Sequence, residues 1–221
     1  MIRYVCDLET NGLLDVLNRV HSLVLRNVDT GEVISCSDQG EYTPIREGLD
    51  LLAEADVVIG HNFINFDARA IAKVYPDFRA KEGAVIHDTL IISRVLTPEI
   101  EQLDEQKYEH IDRKYKGKHS LAAWGERLGI QKIKFTENEK RSKGADIDVW
   151  DQWSEEMQSY CEQDTLVTLV LYQYFQTQQL DQRCFDLEHE FAHIATMIEA
   201  HGFPFNERAA FGLVNTLKTK R

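Results

Sequence analysis

Two rhythms of apolar and polar positions alternate along the first hundred residues. The apolar run Ile2 to Leu8 predicts a strand. Val20 to Val28 and Glu32 to Ser37 flank Asn27-Val28-Asp29-Thr30-Gly31, whose Asn, Asp and Gly supply turn chemistry, so an antiparallel hairpin follows. Ile45 to Ala55 carries apolar residues at 45, 49, 52 and 53, a helical spacing, and Asp56 to Gly60 (DVVIG) reads as a buried strand. Helix returns from Asp67 to Tyr75. A brief strand at Val85 to His87 leads into a helix from Thr89 to Leu96, which stops ahead of Pro98 because the residue before proline disfavours helical geometry. Strand alternating with helix predicts an α/β sheet.

Beyond this region the pattern changes. Glu99 to Lys118 and Lys132 to Asp148 are charged stretches that read as surface loops or weak helices. A long helix is expected from Trp150 to Tyr174, with apolar residues at 153, 157, 160, 161, 166, 167, 170 and 171. Another runs from Asp186 to Ala200 and ends at His201-Gly202-Phe203-Pro204, a glycine-then-proline stop. The last opens after Asn206, an N-cap, and runs into Lys220-Arg221 without a terminator, as in a chain that is cut rather than finished.

Composition narrows the class. The chain has 221 residues, 43% hydrophobic and 28% charged, with only 4 Pro, which suits a globular protein with a core large enough to need no disulfide or structural metal. Its 4 cysteines form no CxxC pair, which argues against a disulfide scaffold or zinc ribbon and for reduced thiols in a cytoplasm. The opening MIRYVCDLET has no basic region followed by an apolar stretch, and no apolar run nears the roughly 20 residues that cross a bilayer, so no membrane partner is expected. A net charge of -12 argues against nucleic-acid binding by the whole surface but leaves room for an acidic site that holds cations. Two basic patches interrupt the acidity: Lys107, Arg113, Lys114, Lys116 and Lys118, then Lys132, Lys134, Lys140, Arg141 and Lys143. Each reads either as a solvated face or as a set of contacts to a polyanion backbone.

Acidic residues supply the candidate chemistry. Asp7-Leu8-Glu9 closes the first strand, and side chains two apart on a strand share a face, so two like charges point one way and favour a divalent cation between them. The same form recurs after DVVIG in His61-Asn62-Phe63-Ile64-Asn65-Phe66-Asp67; Asp67 opens a helix, where a carboxylate also serves the helix dipole. Tyr160 and Asp164 stand four apart on the long helix, on one face. Four acids and a tyrosine on three segments suit two-metal hydrolysis of a phosphodiester, with two divalent cations, Mg or Mn, roughly 3.5–4 Å apart. His61 and His87 lie near this site as structural histidines, and Phe63 and Phe66 read as core residues more than as stacking platforms.

The order and spacing of these segments resemble a known group. DLET with Leu13 beyond it, HNFINFD, and YCEQDTLVTLVL are similar to the three motifs of the tyrosine-bearing branch of the DEDD superfamily of 3′→5′ exonucleases, over about residues 2 to 175. The resemblance implies a ribonuclease H-like α/β fold, a mixed sheet with its first three strands antiparallel and helices on its flanks. It implies that Asp7, Glu9, Asp67 and Asp164 hold the two metals, that Tyr160 orients the attacking water, and that Thr10, Leu13 and Asn62 contact the terminal nucleotides. Read from the residues alone, Thr10 and Leu13 also suit strand-end capping and core packing.

A second resemblance concerns IEAHGFPFN, within Glu188 to Leu217, and HSLAAWGERLGI, residues 119 to 130. Both are similar to family A DNA polymerases, the phage replicative ones above all. This implies an exonuclease domain over 1–180 and a helical segment over 181–221 that leads to a polymerase domain of the same parent chain, absent here. The expected function is then proofreading removal of nucleotides from the 3′ end of single-stranded or frayed DNA, in a host cytoplasm. An RNA exonuclease on the same fold, and a nucleic-acid-binding module with a retired site, are the alternatives.

Overall fold

In the computed structural model, which describes residues 1–130, 135, 149–179 and 181–220, five strands form one mixed sheet. These are β1 (Arg3–Thr10), β2 (Val20–Asn27), β3 (Val33–Cys36), β4 (Val57–Gly60) and β5 (Val85–Asp88), in the order β3-β2-β1-β4-β5. The first three are antiparallel neighbours, as expected, while β1–β4 and β4–β5 are parallel. The hairpin turn is built as its composition predicts, with Asn27 Oδ1 accepting from the N–H groups of Asp29 and Thr30.

Among the described residues there are eight helices: α1 (Ile45–Ala53), α2 (Asp67–Val74), α3 (Thr89–Leu96), α4 (Ile100–Lys107), α5 (Leu121–Arg127), α6 (Glu155–Gln176), α7 (Gln182–His201) and α8 (Glu207–Thr219). The two faces of β1 divide the core between them. Tyr4, Cys6 and Leu8 pack with Leu23, Leu49, Leu52 and Ile71 beneath α1 and α2. Val5 points the other way, with Val57 and Ile59, against Leu169 and Tyr172 of α6. Asp7 and Glu9 are in phase with Val5, so the strand's period of two turns both carboxylates towards α6.

Two helix starts and one whole helix depart from the sequence expectations. The long helix starts at Glu155 rather than Trp150, because Ser154 caps it, its hydroxyl accepting from the Met157 N–H at 3.2 Å. α7 starts at Gln182 rather than Asp186, with Asp181 as its cap. α5 lies where the apolar pattern predicted no helix; Ser120 caps it and Trp124, fully buried, donates its indole N–H to Ser93 Oγ at 2.8 Å. α4 does form within the charged stretch after Glu99, and its Asp104 is joined to Arg127 of α5 in a bidentate pair at 2.7 and 2.9 Å. Both side chains of that pair are shielded from solvent. The second basic patch, 132–143, lies outside the described residues.

The foot of α7 belongs to the same core, since Phe185 packs with Ile92, Trp124, Val167 and Phe175. The rest of α7 and α8 is different: Phe191, Met197, Ile198, Phe203, Phe205 and Phe211 are each at least 60% exposed.

Candidate active site

The site forms where strand pairing runs out. β1 pairs with β2 through to Thr10, so Asp7 and Glu9 lie inside a strand and not at its end as the sequence suggested. On the other side β1 pairs with β4 only as far as Val5↔Ile59, which leaves one edge of β1 open beyond Gly60. The Asp67 carboxylate enters that opening and accepts the Leu8 N–H as well as its own. Asp67 is buried, and burial together with the charge of Asp7 holds its carboxyl well above the usual carboxylate range.

α6 closes the site from the other face. Its register is set by polar ties to the sheet: Gln158 donates to Ser35 Oγ at 2.7 Å, Ser35 Oγ donates to Glu162 at 2.6 Å, and Arg26 donates to Thr165 Oγ1 and to the Glu162 carbonyl. That register brings the Cys161 thiol against β1, where it donates to the Asp7 carbonyl oxygen at 3.4 Å. The Asp7 and Glu9 carboxylates and Cys161 Sγ offer ligand atoms within 4.8 Å of one another. The Tyr160 hydroxyl hydrogen-bonds Asp164, the pair four apart that the helical spacing anticipated. Burial and the charges of Asp164, Glu9 and Asp7 push the phenol far up. Its ring is wedged by Phe135, which also meets Trp150.

The five residues singled out for catalysis thus converge from β1, α2 and α6. Of the three expected to touch substrate, Leu13 is 71% exposed, which excludes core packing, and it forms the rim of a cleft of about 650 Å³ with Glu9, Thr10, Gly12, Phe66 and Trp150. Thr10 is buried and donates its hydroxyl to the Gly12 carbonyl at 2.7 Å, so it caps the turn after β1. Asn62 sits at φ 68°, the left-handed region. Its N–H donates to Asp88, a buried carboxylate that the sequence reading passed over although an acid just before a helix start is an N-cap signal. His61 Nδ1 is bonded to Thr89 Oγ1 and His87 Nδ1 to the Tyr172 hydroxyl. Cys161, at the heart of the cluster, carried no signal beyond its position next to Tyr160.

No protein-family model matches the chain. Over 253 aligned positions it is 28% identical to the DNA-directed DNA polymerase of Escherichia phage T7, and 27% identical to that of Enterobacteria phage T3. The chain is similar to phage DNA-directed DNA polymerases. The likeness takes in 98% of this chain but 35% of either polymerase, so the chain spans about a third of the length of these relatives. Among solved structures, Brucella melitensis NrnC superposes with a TM-score of 0.57 at 15% identity, covering 90% of this chain and 86% of that one. NrnC with bound Mg²⁺ gives a TM-score of 0.56, and a nuclease in its apo form 0.51 at 18% identity over 89% of this chain and 80% of that one. These neighbours share the fold, the ribonuclease H-like mixed sheet that the motifs implied. No helix among the described residues is long and apolar enough to cross a membrane.

Proposed function

We propose that this chain is a metal-dependent 3′→5′ exonuclease that removes nucleotides from single-stranded or frayed DNA ends, as the proofreading part of a phage-type DNA polymerase. The observation that carries this reading is the convergence of two β1 carboxylates, the carboxylate heading α2 and the Tyr160–Asp164 pair at one open strand edge beside a cleft. The donor set fits divalent cations. Carboxylate oxygens suit Mg²⁺ or Mn²⁺, and the Asp67 carboxyl, pushed well above the usual carboxylate range by burial and by Asp7, marks a cluster short of positive charge.

Asp7, Glu9, Asp67 and Asp164 would hold two such ions, which when bound supply a nucleophilic hydroxide and stabilise the leaving oxygen. Tyr160, anchored by Asp164 and packed on Phe135, would orient the attacking water through its hydroxyl. Leu13 would seat a terminal base from the cleft rim, against Phe66 and Trp150. Asn62 would contact the strand end, and Thr10 would act through the turn it caps rather than by donating to substrate. We assign 1–180 to the nuclease domain and 181–221 to a segment leading to a polymerase domain, for which the apolar face of α7 and α8 is suited by composition and exposure. A phage context implies work in a host cytoplasm.

Incubating 5′-labelled single-stranded DNA and RNA with the chain and Mg²⁺, Mn²⁺ or EDTA tests this. A ladder shortening from the 3′ end on DNA, absent in EDTA, is expected. Equal ladders on RNA would overturn the choice of DNA, and no ladder with either metal would overturn the enzyme.

A further inference from the structure

Asp88 ends β5 and caps α3, and its carboxylate is spent on backbone N–H groups. Oδ1 accepts from Asn62 at 2.9 Å and Leu90 at 3.0 Å, and Oδ2 accepts from Ile64 at 3.1 Å. Two of these donors belong to the loop between β4 and α2, the segment that delivers Asp67. That loop needs an external hold. Asn62 occupies a backbone region that non-glycine residues rarely adopt, and a Cβ on Gly60 would lie 2.6 Å from the Phe63 Cβ. Asp88 is 2% exposed, so water does not compete for its oxygens.

Asp88 is in turn held from outside the sheet. β5 is the outer strand of the sheet, and among the described residues no further strand takes the Asp88 N–H. That N–H donates instead to Nε2 of His189 on α7 at 2.9 Å, while His189 Nδ1 donates to the Phe185 carbonyl at 2.8 Å. The two bonds fix the neutral Nδ1–H tautomer. The ring is 6% exposed and stacks on Phe185 with centroids 4.0 Å apart. A chain of buried bonds thus runs from α7 through His189 and Asp88 to Asn62 and Ile64.

We propose that His189 is a positioning residue: through Asp88 it sets the loop that carries Asn62 and delivers Asp67, so that the docking of α7 tunes the nuclease site. The proposal rests on the exonuclease reading for what the loop does, and on geometry alone for the linkage. Two conservative variants of the full chain separate the bonds. In His189→Asn the shorter amide reaches the Phe185 carbonyl but not Asp88; in His189→Gln the amide oxygen sits near the place of Nε2 and accepts the Asp88 N–H.

Amide hydrogen exchange, referenced to the global opening measured at Leu25, reads the loop directly. His189→Asn should speed exchange at Asn62 and Ile64 by about tenfold, since a buried donor loses its acceptor, and His189→Gln should restore it to within about threefold of the parent. On single-stranded DNA, kcat should fall by about tenfold in His189→Asn with KM within about twofold, and recover in His189→Gln. Exchange at Asn62 and Ile64 that moves no more than Leu25, or that moves equally in both variants, overturns the proposal. A parent chain that cuts no DNA while its loop still answers to His189 retains the linkage and removes the exonuclease reading instead.

Discussion

Tyr160 and Asp164 share a hydrogen bond, yet the proposed function gives them different ends, and substitution separates them. On the proposed mechanism, in which the Tyr160 hydroxyl positions water and holds no ion, Asp164→Ala should abolish both cleavage and Mn²⁺ binding, whereas Tyr160→Phe should keep metal affinity within about threefold and lose on the order of 10²-fold in rate. Calorimetry with Mn²⁺ decides: equal loss of affinity in the two variants makes the tyrosine a ligand or a fold support. Asp67 offers a stability test. The fold raises this carboxyl above its unfolded value of 3.8, so folding free energy is lost as pH climbs past that value, the native state having either to retain a proton or to bury a bare charge. In EDTA at pH 8, Asp67→Asn should therefore melt about 3 °C or more above the parent, with the gain shrinking towards pH 4, and should cut nothing. An amide oxygen there still accepts the Leu8 N–H. Scanning calorimetry at both pH values checks this. These acids were legible because period two on a strand and four on a helix are visible in one dimension. Asp88 and Cys161 were not, because their roles depend on which backbone atoms the fold brings to them.

Among the elements, α1, α2, α3 and all five strands were legible from apolar periodicity and turn chemistry. α5 was hidden because its seven residues are too few to show a periodic face, and what secures it is a cap and tertiary contacts. Chief among these is the solvent-shielded Asp104–Arg127 pair, whose Asp104 also accepts the Gly117 N–H and whose Arg127 donates to the Lys118 carbonyl. Removing one partner leaves an uncompensated buried charge, so Arg127→Met should cost about 3–5 kcal/mol in urea unfolding. Adding Asp104→Leu should restore part of that loss and no more, since the Gly117 N–H then lacks its acceptor. A double variant as unstable as the single one would mean that the guanidinium matters for its packing on Trp124 rather than for its charge.

At the scale of the molecule, the proposed function requires a protein of net charge -12 to admit a phosphate backbone. The first basic patch spends part of itself internally, with Lys116 bonded to Glu105 at 2.9 Å and Lys114 beside Asp112 at 3.7 Å. Within this first patch three of the five cations are thus left for a strand, and at about 0.7 per neutralised phosphate its share of the log–log salt slope of single-stranded DNA binding should be about 2 in magnitude, which Lys107, Arg113 and Lys118 changed together to Ala should remove. Fluorescence anisotropy on an uncut complex, using Asp7→Ala with Glu9→Ala, measures it; a slope of about 5 would reveal a cation-lined path. The bond from the Cys161 thiol to the Asp7 carbonyl spans 154 residues, and it joins the first strand to the sixth helix. A chain leaving the ribosome at about 5–20 residues per second therefore displays Asp7, Glu9 and Asp67 for several seconds before Asp164 is made. The nascent protein carries most of its charge cluster before the cluster is complete, and on the proposed function no cleavage is expected until the helix bearing Tyr160 and Asp164 has been made and has docked.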